Sequence, residues 1–261
     1  MKILFVGDIV GKPGRRAVQK LLPRIVEEQE IDLVIANCEN AAGGFGVTEE
    51  VIEELYKCGI YVLTSGNHIW DKKDVMNFID HFETLLRPAN YPDGLPGRGA
   101  VVTTAKNGTA VGILNLEGRV FMRPLECPFR TAKKEVAALQ RHTSIIIVDM
   151  HAEATSEKQA LGWFLDGKVS LVVGTHTHVQ TADERILPNG TAYITDAGMT
   201  GSFNSVLGIK TDIAIERFLT LTRHKFDVAR GDVWLQGVVV DVDDETGKSS
   251  RIERVNVKLD S

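Results

Sequence analysis

The sequence predicts an α/β chain, α+β-like in its later part, with two mixed β-sheets packed as a sandwich and flanked by helices. Three observations carry this. Short apolar runs at 3–6, 33–36, 61–64, 145–148 and 169–173 are each closed by polar or glycine residues, the pattern of buried strands. Helical stripes alternate with them as βαβαβα over the first 80 or so residues and again as βαβ around 145–173. A β-rich middle and a mostly β carboxyl-terminal part carry hairpin signals that a single doubly wound sheet does not accommodate. No repeat, low-complexity tract or clear linker interrupts the chain, so one domain is expected over residues 1–261.

In chain order, strand 3–6 closes on Gly7-Asp8, and a loop, Gly11 to Gly14, leads to a helix over 15–29 with its stripe at Val18, Leu21, Leu22, Ile25 and Val26. Strand 33–36 ends in Asn37 to Asn40 and a glycine-rich loop. Thr48 is placed to cap a helix running to Cys58, with Gly59 just past its end. Strand 61–64 ends in Ser65 to His68 and precedes a helix near 71–80. Residues 101–104 and 110–116 flank Asn107-Gly108, a hairpin signal, and 131–140 read as a helix. Strand 145–148 leads to His151, after which Thr155 or Ser156 can cap a helix ending near Gly167. Beyond 169–173 follow a hairpin (185–187, 192–195), a loop over 197–208, a helix near 211–220, and strands near 225–229, 232–242 and 251–258.

Composition narrows the partners. A formal charge of −5 without clustered Lys and Arg argues against duplex DNA, leaving a nucleotide-sized substrate allowed and RNA open. Cys38, Cys58 and Cys127 are too few and too scattered for a disulfide framework and form no CxxC pair, which fits a reducing, cytoplasmic setting. The amino terminus enters a strand directly, and no stretch approaches the ~20 apolar residues of a membrane span.

The richest stretch is Gly174-Thr-His-Thr-His178 at the end of the apolar run 169–173. On an extended chain His176 and His178 face the same side, roughly 6–7 Å apart. That spacing suits two metal ions ~3.5–4 Å from each other, one imidazole to each. The same pair could also grip a single ion or, as an exposed turn, none. The ends of the other strands add Asp8, Glu39, Asn40, Asn67, His68 and His151 at what would be one edge, where open α/β sheets bind ligands. Two adjacent cations repel, so a shared carboxylate, Glu39 or Asp8, must hold them together. Carboxylate, amide and imidazole donors without thiolate suit Fe, Mn or Zn better than Mg or Ca. Such a pair acidifies water and neutralises phosphoryl oxygens, which points to phosphoester hydrolysis. The segment from Gly7 to Pro13 is not a phosphate-binding P-loop: three residues, not four, separate Gly7 from Gly11-Lys12, and Pro13 stands where Ser or Thr is required.

Taken together, Gly7-Asp8, Cys38-Glu39-Asn40, Gly66-Asn67-His68, His151 and Gly174 to His178 resemble the ordered motifs of the calcineurin-like metallophosphoesterases, and more narrowly of the YmdB-type bacterial phosphodiesterases. Similar stretches at 7–15, 39–46, 66–73, 87–92, 151–163, 174–183 and 195–201 extend the likeness over most of the chain. The resemblance implies the metallophosphoesterase fold and two metal ions, Fe or Mn ahead of Zn. Asp8, Glu39, Asn40 and His178 would hold one ion, and Glu39, Asn67, His151 and His176 the other, with Glu39 bridging. His68 would donate a proton to the leaving oxygen, as an imidazole can at neutral pH. The implied substrate is a small phosphodiester such as a cyclic nucleotide, 2′,3′-cyclic AMP among them, and self-association is implied as well. Two departures from the wider superfamily stand out: Val10 replaces the histidine of its usual Asp-x-His motif, and Glu39 replaces the usual bridging Asp. Asn40 would supply the missing ligand oxygen. His81, His142 and His224 match no motif and read as structural or surface residues. Arg119 and Trp70 read as a salt-bridging residue and a core or rim aromatic.

Overall fold

The computed structural model describes residues 1–222 and 225–260. The elements in order are β1 (Lys2–Val6), β2 (Asp8–Ile9), α1 (Gly11–Glu28), β3 (Leu33–Asn37), α2 (Glu49–Lys57), β4 (Val62–Thr64), α3 (Val75–Phe78), β5 (Ala100–Thr104) and β6 (Ala110–Glu117). They continue with α4 (Pro128–Leu139), β7 (Ile146–His151), α5 (Thr155–Leu165), β8 (Leu171–Thr175), β9 (Arg185–Ile186), β10 (Ala192–Ile194), β11 (Met199–Ser202), α6 (Thr211–Thr220), β12 (Val233–Val242) and β13 (Ser249–Lys258).

Two mixed sheets result. One runs β2-β11-β12-β1-β3-β4 with β13 also paired to β12, and the other runs β5-β6-β7-β8-β10-β9. Strands β1, β3 and β4 are mutually parallel, as are β6, β7, β8 and β10, while the hairpin strands are antiparallel.

Alternation along each buried strand builds the layers. Ile3 and Phe5 of β1 join Ile113 of β6, Ile147 of β7 and Val173 of β8 in the core between the sheets. Leu4 and Val6 join Val18, Leu22 and Ile25 of α1 and Ile52 and Leu55 of α2 on the opposite face. On the far side of the second sheet, Leu114, Ile146, Val148 and Val172 pack with Val136 of α4 and Leu161 of α5. Each such Leu, Ile or Val contributes about 1.5–3 kcal/mol by leaving water, so a strand buried on both faces is held by every side chain it carries. No described helix is long and apolar enough to cross a membrane.

Several local expectations need correction. Helix α1 begins at Gly11, not Arg15, because Pro13 sits in the first turn, where its missing N–H is an orphan in any case. The helix near 71–80 shrinks to α3 and a 3-10 turn over Ile79–His81. Asp71, a residue type suited to capping it, is turned to His68 instead. Neither Thr155 nor Ser156 caps α5: the cap position is Ala154, with no side-chain bond. The expected loop at 197–208 contains β11, held by parallel pairing of Met199 and Thr200 with Asp8 and Ile9 and by antiparallel pairing of Gly201 and Ser202 with Trp234 and Val233, partners no local pattern announces. The strand expected at 225–229 is only an isolated bridge between Ile209 and Val228. By contrast Thr48 does cap α2, accepting the Val51 N–H at 3.4 Å, and Gly59 follows with φ +95°.

Candidate active site

The parallel strands of both sheets end at one rim, and Asp8, Glu39, Asn40, Asn67, His68, His151, His176 and His178 all meet there. Asp8 follows Gly7, where an added Cβ would lie 2.1 Å from the Gly198 carbonyl oxygen, so only glycine lets β1 pass so close. Asp8 Oδ2 accepts the His176 N–H at 3.1 Å. Its Oδ1 is buried without a hydrogen-bond partner among the described residues, 3.7 Å from His178 Nε2 and 4.0 Å from His151 Nδ1.

Glu39 and Asn40 stand in the turn after β3, where the Glu39 N–H donates to Asn37 Oδ1 at 3.1 Å. Glu39 lies between two groups of donors. Its Oε1 is 3.2 Å from His151 Nε2 and 3.1 Å from Asn40 Nδ2, which is itself 3.1 Å from His178 Nε2. Its Oε2 accepts the His68 N–H at 3.0 Å.

His151 is the last residue of β7, not a loop residue beyond it, and is wholly buried. Around its Nε2 converge Asn67 Oδ1 at 3.0 Å, His176 Nδ1 at 3.1 Å and Glu39 Oε1 at 3.2 Å. Its Nδ1 is 2.9 Å from Thr175 Oγ1, which donates to Asp149 Oδ1 at 2.7 Å; Thr64 Oγ1 donates to Asp149 Oδ2 at 2.5 Å. Asp149 is thereby a buried anchor for the imidazole, set one strand pleat behind it.

The two histidines of the 174–178 segment do reach the site, but not by strand alternation. Strand β8 stops at Thr175, and His176 and His178 adopt φ of +93° and +62°, a region non-glycine residues enter at a cost of order 1–3 kcal/mol each. A buried ion pair holds that turn. Lys158 Nζ lies 2.9 Å from Asp196 Oδ2, and Asp196 Oδ2 also accepts from the Thr177 N–H at 3.1 Å and the Thr177 hydroxyl at 2.5 Å. Thr177, between the two histidines, thus points away from the site and pins it.

His68 sits at the cavity wall with Nδ1 2.7 Å from Asp71 Oδ2 and its ring edge-on to Phe45 at 4.8 Å. The cavity beside it, about 140 Å³, is lined by Glu39, Asn40, His68, His176 and His178 among others. Arg119 and Trp70 do not line it. Arg119 is exposed, and Trp70 packs edge-on against Tyr91 at 6.0 Å in the rim of the helix-side core. His81 is exposed 3.3 Å from Glu49, His142 is exposed, and His224 lies outside the described residues.

Burial and mutual charge polarise the site strongly. Burial alone would lift the Glu39 carboxyl, but cationic His151 outweighs it and holds Glu39 down at about 2. Burial likewise opposes charging His151, yet Glu39 and Asp8 raise it to about 9. His176, half-buried and facing His151, falls to about 3, chiefly through loss of solvent and then through the neighbouring imidazole. Asp8 is raised, chiefly by burial.

This donor arrangement fits a cation. Around His151 Nε2 stand an amide oxygen, a second imidazole nitrogen and a carboxylate oxygen, and one proton on Nε2 can satisfy only one of them. Ligand atoms of Glu39, His151 and His176 all lie within 4.8 Å of one another, and Asp8 Oδ1 is a buried acceptor that no donor satisfies among the described residues. No thiolate joins them. Sequence reasoning overlooked Asp71, Asp149, Lys158 and Asp196. Only Asp71 had a local signal, three residues from His68.

Comparison with known proteins is consistent with this geometry. The family described as YmdB-like protein matches residues 4–255. A 2′,3′-cyclic-nucleotide 2′-phosphodiesterase of Bacillus subtilis (strain 168) is 49% identical over 260 residues, covering 100% of this chain and 98% of that one. A crystal structure of a hypothetical protein from Thermus thermophilus superposes with a TM-score of 0.91 at 39% identity, covering 99% of each chain. That of a novel phosphatase from Mycoplasma pneumoniae gives 0.92 at 36%, covering 99% of this chain and 93% of the other.

Proposed function

This chain belongs to the YmdB-like protein family, and from that membership and the site geometry we infer a metal-dependent 2′,3′-cyclic-nucleotide 2′-phosphodiesterase. The observation that carries the reading is the placement of Glu39, with one carboxylate oxygen within 3.2 Å of both the Asn40 amide and the His151 imidazole.

The proposed assignment follows the two donor groups that Glu39 separates. Asp8, Asn40 and His178 would hold one metal ion, Asn67, His151 and His176 the other, and Glu39 would bridge them. A half-turn of the Asn40 amide offers its oxygen where the nitrogen now lies, since the two ends are nearly the same size. The donor set, carboxylate, amide and imidazole without thiolate, suits Fe, Mn or Zn. When bound, the metals supply a more acidic water and positive charge for the phosphoryl oxygens.

The chain's own groups do the rest. Hydrolysis of a 2′,3′-cyclic phosphate adds water across the P–O2′ bond, leaving a 3′-phosphomonoester and a free 2′-hydroxyl, so the 2′ oxygen must gain a proton. His68 faces the cavity and hands that proton over from Nε2, while Asp71 on Nδ1 fixes the orientation of the ring. Asn67 and His68, adjacent in one turn, divide the labour between metal and leaving group.

The test is hydrolysis of 2′,3′-cyclic AMP with metal content measured on the same protein. The expected product is 3′-AMP; formation of 2′-AMP, or undiminished turnover by chelated protein, would overturn the reading. A strong preference for p-nitrophenyl phosphate over bis-p-nitrophenyl phosphate would point instead to a phosphomonoesterase.

A further inference from the structure

The cavity at the metal ligands is small, about 140 Å³, whereas sites that enclose a whole small ligand run from about 300 Å³ upward. It accommodates the reacting phosphate and part of the sugar. The rest of the substrate must lie outside it, and a groove of about 420 Å³ continues from the cavity, sharing Gly43, Phe226, Asp227 and Val228 with its wall.

The groove's chemistry is specific. Lys12 and Arg16, one turn apart on α1, and Arg230 line it, all three exposed. No ion pair or hydrogen bond engages any of the three among the described residues, whereas neighbouring cations are engaged. Arg15 is bound to Glu54 at 2.8 Å and to the Ala41 carbonyl at 2.6 Å, and Lys210 pairs with Asp227, the groove's one acid. In a chain of net charge −5, Lys12 and Arg16 without an ion pair, and Arg230 whose charge also acts on Asp227, give one groove an excess of three cations over one acid and make it a local anion site. At the junction an aromatic path runs from His68 to Phe45 at 4.8 Å and on to Phe226 at 5.1 Å, with Arg217 over Phe226 at 4.8 Å. Unpaired cations along a groove with stackable rings are what single-stranded nucleic acid requires.

A 2′,3′-cyclic mononucleotide has one phosphate, and that phosphate belongs at the metals. The groove cations therefore need a second one. We propose that Lys12, Arg16 and Arg230 form a subsite for the next phosphate on the 5′ side, and that the substrate class is an oligoribonucleotide ending in a 2′,3′-cyclic phosphate. This rests on the phosphodiesterase reading above. The class of reaction that supplies such ends is RNA cleavage by attack of a 2′-hydroxyl on its neighbouring phosphate. The chain would then open the ring to a 3′-phosphate.

The experiment compares kcat/KM for 2′,3′-cyclic AMP, its 5′-phosphorylated form, and a trinucleotide ending in a 2′,3′-cyclic phosphate. The wild-type chain is set against Lys12→Ala/Arg16→Ala/Arg230→Ala. Binding of a 5′-labelled trinucleotide 3′-phosphate is followed in parallel by anisotropy at two salt concentrations. The expected result is at least about a tenfold preference for the trinucleotide, about 1.4 kcal/mol, which collapses toward one in the triple variant. The salt slope of binding should also fall by ~0.7 for each phosphate that the variant no longer neutralises. Equal kcat/KM for monomer and trimer, or a variant that keeps the wild-type preference, overturns the proposal. If the 5′-phosphorylated monomer captures the whole preference, the phosphate subsite stands and the oligonucleotide class falls. If no cyclic phosphate is hydrolysed while the labelled strand still binds through the three cations, the subsite stands and the phosphodiesterase reading falls.

Discussion

A Cβ built on Gly66 lies 2.2 Å from His151 Nε2. The backbone of the turn after β4 is thus pressed against the imidazole around which Asn67, His176 and Glu39 converge, and no side chain of any size fits between them. Gly66→Ala should leave the secondary structure intact while displacing His151. Metal content and kcat are expected to fall 10–100-fold or more, as when outer-shell support of a ligand is lost (about one to two decades). Full metal occupancy with wild-type turnover would contradict the placement of His151 among the ligands.

His68 and Asp71 act as a pair, with 2.7 Å between Nδ1 and the carboxylate. His68→Ala is expected to retain metal and lose roughly 10²–10⁴ in kcat on 2′,3′-cyclic AMP, whose leaving oxygen is an alkoxide. On bis-p-nitrophenyl phosphate, whose leaving group needs no proton, the loss should be much smaller. Asp71→Asn should fall between wild type and His68→Ala. An equal loss on both substrates would remove His68 from the role of acid.

Lys158 and Asp196 are both buried, and their contact holds Thr177 and so the strained backbone at His176 and His178. Lys158→Met should destabilise the chain by about 3–5 kcal/mol in urea unfolding, because it leaves the Asp196 charge buried without its cation. Lys158→Met/Asp196→Leu should recover part of that stability without recovering metal binding, since Thr177 would still have lost its anchor. Recovery of both would mean that the turn holds its shape unaided.

Glu117, at the end of β6, is buried with neither carboxylate oxygen hydrogen-bonded among the described residues, and burial lifts it from an ordinary 4.5 to about 7. Unfolding releases the carboxyl to titrate at its lower, ordinary value. The folded state therefore loses stability as pH rises from about 4.5 to 7, by at most about 3 kcal/mol. Glu117→Gln escapes this loss. The difference in unfolding free energy, variant minus wild type, should grow across that window and level off above pH 7. A difference that stays flat across the window would show that the carboxyl is satisfied in the folded chain.

Much of the site was legible because its residues cluster within short, strongly patterned segments. Asp8, Glu39, Asn67 and His151 each follow an apolar run whose only reasonable fate is a buried strand. Parallel strands necessarily bring their carboxyl ends to one rim. Two sheets could also be anticipated, from hairpin signals around Asn107-Gly108 and Asn189-Gly190 that a single parallel sheet cannot hold.

What stayed hidden was of a different kind. Strand β11, Met-Thr-Gly-Ser, has no apolar pattern and exists because it is paired on both sides, with Asp8 and Ile9 of β2 and with Val233 and Trp234 of β12. The extended reading of His176 and His178 failed because Asp196 and Lys158, each 19 residues from Thr177 in the chain, hold it in the opposite sense. Of the three groove cations, Lys12 and Arg16 lie one turn apart on α1, but Arg230 comes from a distant part of the chain with no local tie to them. The sequence by itself determined which groups arrive at the rim, since apolar periodicity and turn residues are local and decide where each strand ends. Only the tertiary structure decided how those groups face one another, because the desolvation of a charge and the choice of its partner depend on neighbours that local patterning does not contain.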